Sequence, residues 1–297
     1  EAQGKHGLVL SNGINPQYGK LDAYRMAWSA IDEAIRNAVA VGADPQRIAL
    51  LDNFCWGDPR RPGTLGSLVE AARGCHDAAL YYRTPFISGK DSLNNEYLGS
   101  DGQRHAIPPT LLISAMGVIP DIGRTVTMDL KSPGNLLYLV GEHRPTWGGS
   151  HAGLLDGWEP ARDAAIPEQP HNAPRVYQAL HRAIVAGWVR ACHDLSEGGL
   201  AVTAAEMCIG GRLGVELRLE SADPGLILFG ESNGCLLVEI QPQDVPTVER
   251  LFDGLPILKT GWVSQEGRMT VLAGKAQETL LSLSVEEIAQ AWIGGAQ

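Results

Sequence analysis

Apolar residues recur every three or four positions from Tyr24 to Val41, at Met26, Ala27, Ala30, Ile31, Ala34, Ile35, Ala38 and Val39, which predicts an amphipathic helix. Asp22 is placed to cap its start and Gly42 its end. Ile48 to Leu51 reads as a short buried strand that delivers Asp52, and Leu65, Leu68, Val69, Ala72, Cys75 and Ala79 mark a second helix behind Thr64. Pro85 to Ile87 predicts another brief strand, with Ser88 onward as a polar loop. Ser100 to Pro109 reads as loop, Thr110 to Val118 as strand, and Pro120-Asp121-Ile122-Gly123 as a break.

Beyond that break the pattern predicts a strand at Leu136 to Val140, a loop-rich stretch to Pro170 and a helix from Pro174 to Ala186. A glycine-rich turn then leads into a helix at Leu200 to Ile209, followed by strands at Val215 to Leu219 and Cys235 to Ile240. A helix at Val245 to Phe252, strands near Trp262 and Met269, and a terminal helix capped by Ser284 complete the series. The expectation is an α+β fold in two domains. Residues 1–121 carry a mixed sheet with helices on one face, and residues 122–297 form a sandwich-like α/β layer.

Composition narrows the function classes. At 297 residues, 44% hydrophobic and 20% charged, the chain has the makeup of a folded globular protein with a core in each half. Its formal net charge of −10 offers no broad basic face for nucleic acid or an anionic membrane. Most of the acidity lies beyond residue 121, where the balance is −8 against −2 before it. The apolar stretch from Thr110 to Pro120 is too short for a membrane helix, which takes about 20 residues. Five scattered cysteines (Cys55, Cys75, Cys192, Cys208, Cys235) with no CxxC pair point to reduced thiols and a cytoplasmic location. Beginning at Glu1 and entering a strand-like Gly7 to Leu10 almost at once, the sequence reads as a piece of a longer polypeptide.

Three segments carry candidate chemistry. In Leu51 to Pro59, Asp52 leaves a strand ahead of a Gly-Asp-Pro turn; it is placed either to hold a nucleotide or magnesium, or simply to bond loop amides. Ser88 to Tyr97 gathers Gly89, Lys90, Asp91 and Ser92, a set suited to phosphate and metal. Glycine permits close backbone approach, lysine neutralises phosphate, and hydroxyl and carboxylate offer hard oxygens. The spacing is not that of a Walker A loop. Cys192 to Leu200 feeds polar residues and Gly198-Gly199 into a helix start, where His193 and Asp194 form either a structural pair or a functional one. Gly148 to His151 and Phe229 to Gly234 read as turns, and neither a zinc-ligand spacing nor a GxSxG elbow occurs.

In this order, Asn15-Pro16-Gln17-Tyr18, Leu51 to Pro59, Gly89 to Glu96, His193 to Leu200 and Glu231-Ser232-Asn233-Gly234 resemble the second half of the synthetase subunit of phosphoribosylformylglycinamidine synthases. That family belongs to the AIR synthetase-related superfamily, with selenophosphate synthetase and thiamine-monophosphate kinase, and doubles a two-domain unit. The resemblance implies a magnesium-assisted, ATP-dependent carbon–nitrogen ligase of purine biosynthesis. It would turn formylglycinamide ribonucleotide into its amidine with ammonia from glutamine. It further implies ATP contacts at Asp52, Gly89 and Lys90, a ribonucleotide contact at Ser92, and metal ligands at Asp91 and Asp194. Lys90 departs from the family pattern, standing where many members have a magnesium-binding asparagine. A second departure is the absence from Ser11 to Gln17 of the histidine found in the first copy. No catalytic residue is therefore assigned to this chain, and alone it is expected to be inactive. Its implied partners are the first half of the same synthetase, a glutaminase subunit and a small accessory subunit. The first domains of two copies pair in the family, so the isolated chain is expected to form a homodimer. The alternatives are a non-catalytic nucleotide-binding scaffold half, or a related ATP-dependent synthetase or kinase.

Overall fold

The computed structural model describes residues 4–155 and 165–294. Residues 156–164, part of the loop-rich stretch expected before Pro170, lie outside the described residues. The chain opens with β1 (Gly7–Ile14), α1 (Pro16–Gly19), α2 (Ala23–Ala40), β2 (Ile48–Cys55), α3 (Pro62–Tyr82) and β3 (Phe86–Ser92). A hairpin of β4 (Glu96–Leu98) and β5 (Arg104–Ala106) precedes β6 (Thr110–Ile119). Then follow β7 (Leu136–Val140), α4 (His151–Leu155), α5 (Ala173–Ala186), β8 (Val189–Asp194), α6 (Gly199–Gly211), β9 (Gly214–Leu219) and α7 (Pro224–Phe229). Last come β10 (Leu236–Ile240), α8 (Val245–Leu251), β11 (Ile257–Ser264), β12 (Arg268–Ala273), β13 (Glu278–Ser284) and α9 (Val285–Gly294).

The fold is α+β, built on two mixed sheets. The first has the order β1-β6-β2-β3, antiparallel except for the parallel pair of β2 and β3. Helices α2 and α3 cover one face, with Met26, Ala27, Ala30, Ile31, Ala34 and Ile35 fully buried on the predicted stripe of α2. Each large apolar side chain buried there contributes about 1.5–3 kcal/mol. Asp22 caps α2 by accepting from the Arg25 N–H at 2.9 Å. The other face leaves Leu8 70% and Leu10 80% exposed.

The second sheet runs β13-β12-β9-β11-β7-β10-β8, antiparallel except for β9 with β12. One face packs against α5 and α8 and merges with the core of the first sheet through Tyr138, Val140, Val238, Tyr177 and Ile184. The opposite face packs on α6 through Leu137, Leu139, Leu237, Met207 and Cys208, with Val285 of α9 in the same cluster. Ser284 caps α9 reciprocally: its Oγ accepts from the Glu287 N–H at 3.1 Å, and its own N–H donates to Glu287 at 2.7 Å. No helix among the described residues is long and apolar enough to cross a membrane.

Two expectations are corrected. The third strand does not stop at Ile87: β3 continues to Ser92, so Gly89, Lys90 and Asp91 lie in a strand rather than a loop. Parallel pairing with β2, which itself runs on through Asp52 to Cys55, supplies backbone partners that the polar sequence does not reveal. Similarly, part of the loop expected from Ser100 to Pro109 is the β5 strand of the hairpin.

Candidate functional site

The sequence motifs gather into two clusters. The first lies at the ends of β2 and β3, where parallel register sets Asp52 beside Gly89, Asn53 beside Lys90 and Cys55 beside Ser92. A Cβ at position 89 would overlap the Asp52 carboxylate, so glycine there leaves that carboxylate its place. Partial burial and then the neighbouring Asp91 charge raise the Asp52 pKa, and a bond from the Lys90 N–H opposes them. Lys90 and Asp91 are exposed. Ser92 Oγ lies 3.3 Å from Asn95 Oδ1, and the Ser92 carbonyl accepts from Asn95 Nδ2 at 2.6 Å. Nearby, Glu96 fastens the Gly57-Asp58-Pro59 turn: it accepts from the Asp58 N–H at 3.2 Å and pairs with Arg61 at 3.1 Å.

Alternation along the paired strands puts the Asp52 and Asp91 carboxylates on one face with Gly89, and the Lys90 cation and Ser92 hydroxyl on the other. Among the described residues no three His, Cys, Asp or Glu side chains converge as metal ligands. Magnesium is nonetheless commonly held by one or two carboxylates together with substrate phosphates, and the donor chemistry of Asp52 and Asp91 fits that arrangement.

The second cluster sits between the two sheets and is almost wholly buried. Asp32 of α2 accepts the hydroxyls of Tyr82 and Tyr177, each at 2.5 Å, the Gly234 N–H at 2.8 Å, and an Arg36 guanidinium bond. Arg36 donates onward to the Leu195 carbonyl at 2.9 Å and to Ser196 Oγ at 3.0 Å, and its Nε lies 3.6 Å from Asp194. Asp194 also pairs with His193 at 3.2 Å and accepts from Ser196, while the other nitrogen of His193 meets Glu206 at 2.7 Å. Burial pushes the Asp194 carboxyl up, but His193 and Arg36 outweigh it and hold the pKa at about 2. Burial works against the His193 cation, yet Asp194 and Glu206 hold its pKa at about 9. His193 and Asp194 are therefore an ion pair at neutral pH. The structure does not bring Asp194 together with Asp91: the first ends β8 in the second sheet and the second lies in β3. A metal at Asp194 would have to displace Arg36 or His193.

The same region reveals groups that sequence reasoning passed over. Glu231 accepts the Tyr18 hydroxyl at 2.5 Å and the N–H groups of His151 and Gly198 at 2.8 and 3.1 Å. Segments Asn15 to Tyr18, Gly148 to His151, His193 to Leu200 and Glu231 to Gly234 thus converge, two of them read as mere turns. A cavity of about 250 Å³ opens among Asn15, Gln17, Tyr18, His151, Glu197 and Glu231. Beside it, burial pushes Glu33 up to about 8 against the pull of Arg36, and its Oε2 accepts from Asn15 Nδ2 at 2.8 Å and the Ile14 N–H at 3.0 Å. The available signal was polar residues, Asp32, Glu33 and Arg36, set within a helix stripe that is otherwise apolar.

Sequence comparison matches residues 1–119 to the N-terminal domain of AIR synthase related proteins and residues 132–293 to their C-terminal domain. The chain belongs to the AIR synthase related family. A curated relative within reach of this family member is the phosphoribosylformylglycinamidine synthase subunit PurL of Gloeobacter violaceus. It is 39% identical over 247 residues, covering 81% of this chain and 31% of the relative. The chain thus spans about a third of that relative's length. Among solved structures, PurL of Thermotoga maritima complexed with FGAR superposes with a TM-score of 0.76 at 18% identity, over 96% of this chain and 46% of that one. The same protein complexed with ATP gives 0.72 at 17% identity, over 96% and 44%. The PurLQS structure from that organism gives 0.76 at 17%, over 96% and 45%. These structural likenesses show that the chain shares the fold of that protein.

Proposed function

We propose that this chain is the second half of the synthetase subunit of a phosphoribosylformylglycinamidine synthase, divided near Asp121 into two domains and acting in the cytoplasm. The observation that carries the reading is the 39% identity to a PurL subunit across four fifths of the chain. In the whole synthetase, the amide oxygen of formylglycinamide ribonucleotide attacks the terminal phosphorus of ATP and ADP departs. Ammonia from a glutaminase then adds to the activated carbon, phosphate leaves, and the amidine forms. Bound magnesium would neutralise phosphate charge there.

This chain's own contribution is binding and placement. Asp52 and Gly89 meet the nucleotide, Lys90 offers its ammonium to phosphate, Asp91 with Asp52 holds the metal, and Ser92 contacts the ribonucleotide. A phosphate-directed lysine accounts for its standing where the family often has a metal-binding asparagine. Asp194, the other metal candidate, serves instead as the buried counter-ion of Arg36 and His193. The segment Ser11 to Gln17, without histidine, supports the reading that chemistry is completed by the first half. A glutaminase and a small accessory subunit are the remaining partners. The exposed Leu8 and Leu10 on an uncovered sheet face favour pairing of two copies when the chain is alone.

Calorimetric titration of the chain with ADP, with and without magnesium, tests the site. Binding that weakens at least tenfold in both Asp52→Asn and Lys90→Ala supports it, and affinity indifferent to both substitutions removes the nucleotide from these strands.

A further inference from the structure

A cleft of about 690 Å³ opens on the outer side of the stacked Tyr82 and Tyr177 rings, whose centroids are 6.1 Å apart. Its walls come from both sheets' helices: the loop at Gln46, the end of α3 at Tyr81 and Arg83, the face of α5 bearing Arg175, Gln178 and Arg182, and the end of α8. None of the residues proposed above for nucleotide, ribonucleotide or metal lines it. The volume lies within the roughly 300–1,000 Å³ of small-molecule sites.

Its charge is opposite to that of the chain. Three guanidinium groups border the cleft, and among the described residues no carboxylate does, in a protein of net charge −10. Elsewhere arginines are commonly paired, as Arg36, Arg61, Arg73 and Arg218 are. Arg83, Arg175 and Arg182 make no ion pair with the described residues. Arg83 occupies the left-handed cap of α3 at φ +57, a position that ordinarily favours glycine. Arg175 and Arg182 are seven residues apart, about 10 Å along the helix axis, with Gln178 between them on the same side. Arg175 also lies in the first turn of the 14-residue α5, where the positive end of the helix dipole adds to its charge. Planar guanidinium forks match phosphate oxygens in pairs.

We propose that this cleft is a binding site for a phosphorylated small molecule of nucleoside-monophosphate size. Its phosphate lies against Arg175 and the start of α5, and Arg83, Arg182 and the glutamine amides hold the remaining polar groups. Because the walls come from elements of both sheets, the bound molecule ties them together across the Tyr82–Tyr177 stack.

The test is calorimetric titration of the full chain with AMP and with ribose 5-phosphate at fixed ionic strength, alongside phenylglyoxal labelling read by mass spectrometry. Expected are binding of at least one of the two probes and suppressed labelling of Arg83, Arg175 and Arg182 in its presence. Affinity should fall at least tenfold in Arg175→Gln/Arg182→Gln, since a charged hydrogen bond is worth roughly tenfold or more. Both positions are exposed, and an unchanged melting curve confirms that the variant folds. Protection of these three arginines from labelling should persist in Lys90→Ala. Failure of both probes to bind, or equal affinity in the double arginine variant, overturns the proposal. Loss of that protection in Lys90→Ala alone would place the ligand at β3 instead, overturning this site while supporting the other. Binding of a hexaglutamate peptide in the absence of binding by either probe would also overturn it, by making the cleft a protein-docking surface.

Discussion

Replacing Asp32 by alanine removes one carboxylate that takes four donors: Arg36, the hydroxyls of Tyr82 and Tyr177, and the Gly234 N–H. Asp32 is 0% exposed and Arg36 2%, so water cannot replace the lost acceptor without opening the core. Breaking a buried ion pair by deleting one partner costs about 3–5 kcal/mol. Arg36 retains Asp194 at 3.6 Å, which lowers the loss, while two orphaned tyrosine hydroxyls and an N–H raise it. The expected loss is about 4 kcal/mol, a large share of the roughly 5–15 kcal/mol available to a folded protein. Tyr177 and Gly234 reach Asp32 from the second half of the chain, so the damage falls on the junction between the sheets. Urea unfolding followed by tryptophan fluorescence is the assay, with Trp28 6.4 Å from the Tyr82 ring as a reporter. A midpoint shift worth less than about 1 kcal/mol would refute the claim that this carboxylate organises the junction.

Other outcomes follow from the same geometry. His193 has its pKa raised from 6.5 to about 9, so its pairing stabilises fully below pH 6.5 and is lost as pH rises to 9. Melting temperatures of His193→Gln should accordingly show a flatter slope over that window, and an unaltered slope would contradict the ion pair. Glu33, raised from 4.5 to about 8, makes the fold favour its protonated form, with stability declining between those pH values as the carboxyl must ionise. In Glu33→Gln that decline should vanish, leaving the variant more stable than the parent at pH 8. Gly89→Ala places a Cβ against the Asp52 carboxylate, so ADP affinity should drop at least tenfold with the melting curve little changed. Leu8→Lys/Leu10→Lys adds charge to an exposed apolar face, and light scattering should report a dimer for the parent and a monomer for the variant.

The helices of the core were legible because burial imprints a local period. The α2 stripe from Met26 to Val39 and the Asp22 cap are read without knowing what they pack against. What escaped reading depends on distant partners. Gly89 to Ser92 is polar and glycine-containing, yet it is strand because β2 offers it a parallel edge, and that edge is contributed by residues 48–55. Asp32 and Arg36 violate the apolar stripe, and only the fold supplies the Gly234 N–H and the Leu195 carbonyl that satisfy them, 202 and 159 residues away. Edge strand β13, with the sequence ETLLSLS and largely exposed, carries too weak an alternation to be distinguished from loop. The motif at Glu231 was visible as a turn, but its role as the acceptor joining Tyr18, His151 and Gly198 arises only in three dimensions.

The central claim is that this chain is the nucleotide-contacting second half of a formylglycinamidine-forming ligase and needs the first half for chemistry. The most direct measurement is ADP release dependent on formylglycinamide ribonucleotide, with ammonium as nitrogen donor, by the chain alone and with the first half supplied in trans. The account predicts no release above background from the chain alone, and turnover in the mixture that falls at least tenfold with Asp52→Asn. Turnover by the isolated chain, or a reconstituted mixture indifferent to Asp52, would contradict it.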